Sequence, residues 1–291
     1  MKTNLLNFIV ILIIFSIPAS GLVARSFLWE VNVRGQKSYI LGSIHMLKKS
    51  SFPLKKELET GFENCEFLAV EADISQENMG EILRVTMEKA GYNDGSKLKD
   101  RISAETYDLA KKKMNDLNMS IDYFENFKPW FLAMSITSME LVKLGFNPEI
   151  GVDKYFINKS EGKTILELEG IPFQIGIFDS FSDKENDMFL LSTLNEADSL
   201  NANVEAMVNS WQSGDIEAVT RMVTENRNKE PELEDIFKIL IDKRNISMSE
   251  KIGKWLNKGG RYFVIVGAAH LIGENGIINL LRRKGFVLKQ K

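Results

Sequence analysis

The chain has 291 residues, 44% of them hydrophobic, with 37 basic side chains against 40 acidic ones. That length and apolar content are enough to bury a real core in one or two domains. The mildly acidic balance argues against a nucleic-acid partner, which would favour a basic stripe. The single cysteine, Cys65, cannot form an intramolecular disulfide, so stability must come from the core or from a bound metal.

The first 21 residues are predicted to be a secretory signal peptide. Lys2 supplies a positive start, Leu5–Ile17 is apolar, and Pro18–Gly21 supplies small residues for cleavage after Gly21. The apolar segment is short for a membrane span of roughly 20 residues, so an uncleaved anchor is the less favoured alternative. We expect a mature chain of residues 22–291 that is periplasmic or secreted, with no stable membrane span.

The next elements are predicted from hydrophobic periodicity and from Gly and Pro breaks. Two strands, residues 27–33 and 38–41, form a hairpin. They are followed by a helix over 54–64 and by a third strand over 67–73 that ends in two carboxylates. A helical pattern then runs from about 76 to 144, with breaks at 91–95 and at 128–129.

The second half repeats this alternation of strand and helix. A helix begins near Gly151–Asp153, a strand covers 163–169, and Pro172 begins the next helix. Helices fill 182–257 with breaks at 214 and 231, and the chain closes with a strand from 262, a helix over 276–284 and a strand over 285–289. These elements predict one α/β domain, residues 22–291: a central mixed β-sheet formed by strands from both chain ends, with a large helical middle insertion.

The two histidines occupy the same sequence setting, an apolar strand followed by Gly-x-x-His. The first segment is Ser38–His45 (SYILGSIH) and the second is Tyr262–His270 (YFVIVGAAH). Gly42 and Gly267 are expected to let the backbone turn sharply and to deliver each imidazole at the carboxyl end of a strand, where open α/β sheets place their sites. If the two strands are neighbours, the rings converge.

Four carboxylates follow strands or open helices and are candidates for the same site: Glu71, Asp73, Asp153 and Glu169. Strand alternation would put Glu71 and Asp73 on one face. Two imidazoles and one carboxylate match the ligand set of a catalytic zinc-type site. We therefore expect His45, His270 and Glu71 to bind a divalent metal, and Glu71 is alternatively the general base.

The supporting roles are less specific in the sequence. Asp73 and Asp153 are expected to orient the imidazoles, although Asp153 also suits a helix N-cap. Arg244, within a helical stretch, could stabilise negative charge on a substrate oxygen. Manganese, cobalt, zinc and iron all suit this ligand set.

Three alternatives stay open at this point. In a metal-free hydrolase one histidine is the base, and Glu71 orients it. A binding protein would capture a peptide or other ligand without turning it over. In a purely structural interpretation the two rings are buried, tied to backbone groups and far apart.

With these residues in view, the chain resembles the TraB/PrgY/GumN family, most closely its exported GumN-like branch. The matching segments occur in order along the mature chain: Leu28–Val31, Tyr39–His45, Val70–Asp73, Gly151–Asp153, Leu168–Glu169 with Gln174, Trp211–Asp215, Arg244–Asn245 and Val266–Gly273.

The resemblance implies an α/β fold with a central sheet and helical insertions. Related animal TIKI proteins are metal-dependent proteases, whose activity is attributed to paired Gly-x-x-His motifs and a glutamate, which implies roles for His45, His270 and Glu71. Erythromycin esterases look like distant relatives, so the substrate expected is a peptide or a small ester. The polar C-terminus lacks the membrane segments of TraB and PrgY proteins, and Gly170 stands where relatives often have a hydroxyl residue.

Overall fold

The computed structural model describes residues 25–197 and 199–291. The predicted signal peptide, residues 1–21, lies outside these described residues. Within them, no helix has the length and apolar character needed to cross a membrane.

Six strands of the described chain form one sheet. They are β1 (Leu28–Val33), β2 (Gln36–Ser43), β3 (Phe67–Val70), β4 (Thr164–Glu167), β5 (Tyr262–Gly267) and β6 (Leu288–Gln290). Their order across the sheet is β4-β3-β5-β2-β1-β6. The neighbours from β4 to β2 pair in parallel, whereas β1 is antiparallel to both β2 and β6. The predicted mixed sheet, with strands from both chain ends, is confirmed.

Helices connect and cover the strands. Those described are α1 (Lys56–Glu63), α2 (Met79–Ala90), α3 (Ala104–Asp116), α4 (Pro129–Lys143), α5 (Val152–Asn158), α6 (Ile171–Asp179), α7 (Asp183–Glu196), α8 (Leu200–Ser213), α9 (Ile216–Lys229), α10 (Glu234–Phe237), α11 (Lys243–Lys258), α12 (Ala268–Leu271) and α13 (Ile277–Arg283). A π-helical segment, Lys238–Asp242, joins α10 to α11.

Pro and Gly set several helix boundaries as predicted. Pro129 is the first residue of α4, where its missing N–H has no helical partner to lose. Gly214 ends α8 in the left-handed conformation, with φ 71°. Several strand boundaries were predicted wrongly. β3 ends at Val70 rather than at Asp73, β4 ends at Glu167 rather than at Glu169, and β6 starts at Leu288 rather than at Gly285, while β2 is longer than the predicted 38–41.

The sheet is covered on both faces, as parallel strands require. Neighbouring side chains on β5 show this, because successive residues of a strand point to opposite faces. Phe263 packs against Phe62 of α1 and Phe156 of α5, with ring centroids 5.5 and 5.1 Å apart. Tyr262 stacks on Trp255 of α11 at 6.1 Å. Aromatic side chains of the helices thus pack against both faces of β5.

Candidate functional site

The carboxyl ends of four parallel strands meet at one edge of the sheet, and each is followed closely by a chemically active side chain. His45 follows β2 by two residues, Glu71 comes directly after β3, Glu169 follows β4 by two residues, and His270 follows β5 by three. The strands, rather than any single loop, therefore bring together residues that are up to 225 positions apart.

His45 is held by a buried carboxylate. Its Nδ1 lies 2.8 Å from Oδ2 of Asp153, and Ser43 Oγ donates to the other oxygen of Asp153 at 2.8 Å. A carboxylate can only accept, so Nδ1 of His45 carries the proton and Nε2 is left for other partners. The His45 side chain is 66% exposed. The charge of Asp153 raises the pKa of His45 to about 9.

His270 is held by an amide instead. Its Nδ1 lies 2.6 Å from Oδ1 of Asn245, whose Nδ2 donates to the carbonyl of Asn275 at 2.9 Å. Because the NH₂ group is committed to that carbonyl, Oδ1 must accept from Nδ1–H of His270, and the lone pair sits on Nε2. The His270 side chain is 7% exposed, and this burial lowers its pKa to about 4. His270 is therefore neutral at physiological pH.

Glu71 lies between these groups and is itself clamped. Its Oε1 accepts from the backbone N–H of Gly267 at 2.7 Å, and its Oε2 accepts from Arg244 at 2.6 Å and from Gln174 at 2.9 Å. Burial alone would raise the pKa of Glu71, but the two histidines, Arg244 and the Gly267 N–H together hold it below its ordinary value. Oε1 lies 4.0 Å from Nε2 of His270.

Gly267 marks the point where the three side chains converge. A Cβ placed on it would lie 3.4 Å from Nε2 of His45, 3.5 Å from Oε1 of Glu71 and 3.6 Å from Cδ2 of His270. A side chain here would fill the space that the three groups surround. The backbone does turn at this glycine, since β5 ends at Gly267 and α12 begins at Ala268, but its φ of −51° is open to any residue, so the turn itself does not require glycine.

Gly42 lies within β2, so the prediction of a turn at this residue was wrong. Its requirement is spatial: a Cβ would come within 2.6 Å of the Phe27 ring and 3.1 Å of Cα of Ala268. The absent side chain lets α12, which carries His270, pack closely against β2.

Arg244 does not have the free guanidinium that the sequence interpretation gave it. Its Nε and Nη2 donate to Glu169 at 2.9 and 2.7 Å, Nη2 also reaches Glu71, and Nη1 donates to the Leu240 carbonyl at 3.1 Å. Glu169, with a side chain only 3% exposed, therefore anchors the arginine that holds Glu71. The Arg244 guanidinium therefore holds two carboxylates of the protein itself.

The two carboxylates that were expected to orient the imidazoles have different surroundings. Asp73 lies beyond the end of β3, its Oδ1 accepts from the backbone N–H of Ser75 at 3.0 Å, and its own N–H donates to Glu167. The structure thus engages its carboxylate in a local turn, and the strand alternation that paired it with Glu71 does not apply. Asp153 was also weighed as a helix N-cap, but Gly151 occupies that position and Asp153 faces His45.

The sequence analysis did not identify three residues that hydrogen-bond to the predicted site residues: Ser43, Gln174 and Asn245. Gln174 and Asn245 stood only among the segments that carry the family resemblance. Neither the histidine motif nor helical periodicity signals that Asn245 reaches a ring 25 positions away. Ser43 lies inside the first Gly-x-x-His segment, so it was the easiest of the three to predict from the sequence.

The donor set fits a metal ion in its chemistry. Both imidazoles have Nδ1 bound to a protein acceptor and Nε2 available, which is the usual arrangement of metal-ligating histidines. Within residues 25–197 and 199–291, however, no group of three or more His, Cys, Asp or Glu side chains is already spaced to hold a metal. The 4.0 Å between His270 Nε2 and Glu71 Oε1 is close to the most that two bonds of about 2.1 Å can span, so the ligands would have to close in.

The charge of the cluster also favours a cation. Glu71, Glu169 and Asp153 carry three negative charges, against one positive charge on Arg244. His270 is neutral, whereas the raised pKa of His45 keeps it positively charged at neutral pH. When His45 gives up that proton to bind a metal, two negative charges are uncompensated within this set. A divalent cation would balance them.

Comparison with known proteins gives a family and two curated relatives. The model of the TraB/PrgY/gumN family matches residues 27–290. A protein of Shigella flexneri named YbaP, described as uncharacterised, is 27% identical over 262 residues, which cover 87% of this chain and 91% of the relative. YbaP of Escherichia coli K12, described in the same way, is 26% identical over the same shares. No solved structure matches the chain.

Proposed function

Because the chain belongs to the TraB/PrgY/gumN family, we propose that it is an exported, metal-dependent hydrolase that cleaves peptide bonds. The observation that carries this proposal is the convergence of His45 Nε2, the His270 ring and the Glu71 carboxylate around Gly267. The choice of peptide bonds rests on the resemblance to the TIKI proteases.

In this proposal His45, His270 and Glu71 hold the metal. When bound, such an ion lowers the pKa of a water molecule and polarises the scissile carbonyl. Glu71 can also serve as the base, since its Oε1 already lies beside the space that the imidazoles border. Manganese, cobalt and zinc remain equal candidates.

The surrounding residues position these three. Asp153 and Asn245 fix the tautomers of the two imidazoles, so that each Nε2 lone pair faces the same space once His45 gives up its Nε2 proton. Arg244 and the Gly267 N–H hold the two oxygens of Glu71. We assign Arg244 to this positioning role and not to contact with the substrate.

Metal content is the first test. The purified protein, analysed for metals, should contain close to one equivalent per chain, and a His45→Ala/His270→Ala double variant should contain none. A chelator should abolish cleavage of a peptide library by the native protein, and adding back one metal should restore it.

Asp73→Asn is the matched control, because an asparagine Oδ1 can still accept from the Ser75 N–H. It should retain both metal and activity. Absence of metal from the native protein after incubation with manganese, cobalt and zinc would overturn the metal assignment.

Export is a separate part of the proposal, supported by the pattern of residues 1–21. Protein recovered from the periplasm or the medium of its own host should begin at Leu22, as read by N-terminal sequencing. An intact Met1 on cytoplasmic protein would contradict export without affecting the chemistry.

A metal-free hydrolase is the second candidate, and the His45–Asp153 pair favours it. Once it has lost its Nε2 proton, a histidine whose Nδ1 is held by a carboxylate and whose other nitrogen is accessible can activate a hydroxyl or water, as in many hydrolases. Peptide or ester cleavage that persists at full rate in chelator would select this mechanism.

A further inference from the structure

A cavity of about 240 Å³ lies in the helical middle of the chain and is lined by none of the candidate site residues described above. It is bounded by α4, α7, α9 and the segment that runs from Pro231 to the π-helix. A cavity of about 150 Å³ accepts a benzene molecule. This one therefore has room for an aromatic ring with a short chain.

The cavity has an apolar floor and a polar mouth. Ile136, Leu233 and Ile236 on the floor are 1–4% exposed. Glu196 and Glu230, by contrast, are both partly exposed. A ligand that fits this gradient has an apolar body and one polar end.

The polar end should be positively charged. Three carboxylates, on Glu140, Glu196 and Glu230, line the cavity, and its described lining contains no Lys or Arg. Lys113 pairs with Glu140 at 3.3 Å, which leaves the two carboxylates at the mouth.

The two mouth carboxylates differ in their partners. Glu230 accepts a hydrogen bond from Ser192 Oγ at 2.9 Å. The Glu196 side chain has no hydrogen bond or ion pair in the part of the chain that the structure describes. Burial raises the pKa of Glu196 and the charge of Glu230 raises it further, while the charge of Lys229 offsets these effects only in part. An ammonium group placed between them would relieve this repulsion.

We propose that this cavity is a binding site for a small amphiphilic amine, with its ammonium group between Glu196 and Glu230 and its apolar body against Ile136, Leu233 and Ile236. A bare divalent cation is a poorer match, because calcium prefers six to eight oxygen ligands and the floor offers hydrocarbon. The proposal does not depend on the proposed hydrolase activity.

Isothermal titration calorimetry on the full protein with three isosteric probes tests it. The probes are 4-phenylbutylammonium, the neutral 4-phenylbutanol and the anionic 4-phenylbutyrate. We expect the ammonium to bind about tenfold or more tightly than the alcohol, since hydrogen bonds to charged groups contribute about 1.5–3 kcal/mol, and the carboxylate to show no binding. Equal binding of all three, or no binding of the ammonium at 10 mM, would overturn the proposal.

Variants locate the site and exclude a general charge effect. Glu196→Gln/Glu230→Gln should weaken ammonium binding about tenfold or more and leave alcohol binding unchanged. Glu81→Gln/Glu88→Gln is the matched control, because it removes the same charge from two exposed carboxylates on α2. Equal effects of the two double variants would contradict the assignment.

A fourth ligand separates a free amphiphile from the lysine side chain of a peptide, which has the same ammonium chemistry. Acetyl-lysine-amide lacks the aromatic body and should bind more weakly than 4-phenylbutylammonium. Tighter binding of the lysine derivative would overturn the assignment of the apolar floor. Thr137→Phe, which adds bulk to the cavity wall, should weaken both the amine and the alcohol, and a thermal melt checks that the variant is folded.

Discussion

The two Gly-x-x-His segments have the same sequence pattern but place their histidines in opposite surroundings. His45 lies at the surface with a carboxylate on Nδ1, whereas His270 is buried with an amide on Nδ1. The first arrangement raises the pKa of the imidazole to about 9 and the second lowers it to about 4. A motif thus determines where a side chain is delivered, while partners distant in sequence determine its charge.

The largest expected effect comes from removing the charge of Glu71, the carboxylate that interacts electrostatically with both histidines. Glu71→Gln keeps the shape of the side chain but removes its charge, and should lower the hydrolysis rate about 10²–10⁴-fold, the usual contribution of a general base. The measurement is kcat/KM on a cleaved peptide. Asp73→Asn should change kcat/KM by less than about threefold, far below the roughly 10²–10⁴-fold loss expected when a general base is removed. Similar losses in both variants would mean that Glu71 has no special role.

Replacing each histidine by alanine should reveal their different burial. His270→Ala leaves the buried Oδ1 of Asn245 without its donor, which costs about 2 kcal/mol of unfolding free energy. His45→Ala leaves the buried carboxylate of Asp153 with its Ser43 hydrogen bond but without the imidazole. Because the ring that is removed is 66% exposed, water can reach Asp153 in its place, and the loss should be less than about 1 kcal/mol. Urea denaturation of the metal-free proteins measures both. A larger loss for His45→Ala would reverse the comparison.

Exchanging the two partners should move the two pKa values towards each other. Asn245→Asp gives His270 a carboxylate and should raise its pKa, and Asp153→Asn gives His45 an amide and should lower its pKa towards the ordinary 6.5. Proton NMR of the imidazole Hε1 resonances measures both, since the chain has only two histidines. Unchanged titrations would show that burial alone sets the difference.

The smallest effect is the pH dependence of stability in chelator-treated protein. His270 has a lowered pKa, so its stabilising contribution is present above pH 6.5 and is lost as the pH falls towards 4. His45 has a raised pKa, so its smaller contribution is present below 6.5 and is lost as the pH rises through 9. Melting temperatures across this range should fall on both sides, and His270→Ala should flatten the acidic side.

Much of the fold could be predicted from local pattern, because apolar runs, Pro129 and Gly214 act on their immediate neighbours. The convergence of His45 and His270 was predicted only on the condition that their two strands are neighbours, as β2 and β5 are in the structure. The end of β3 could not be predicted, since Glu71 and Asp73 continue the alternation of the strand after the backbone has left the sheet. The ion pairs of Arg244 with Glu71 and Glu169 could not be predicted either, because these two residues lie 173 and 75 positions before Arg244 in the sequence.

The position of β5 in the middle of the sheet has a consequence for biosynthesis. Strands β2 and β3 have no hydrogen bonds to each other, and each pairs with β5, which the ribosome makes more than 190 residues after β3. A nascent or truncated chain that lacks Tyr262–Gly267 therefore cannot bring His45 next to Glu71. The candidate site is therefore incomplete through nearly the whole of translation and can assemble only after β5 has been made.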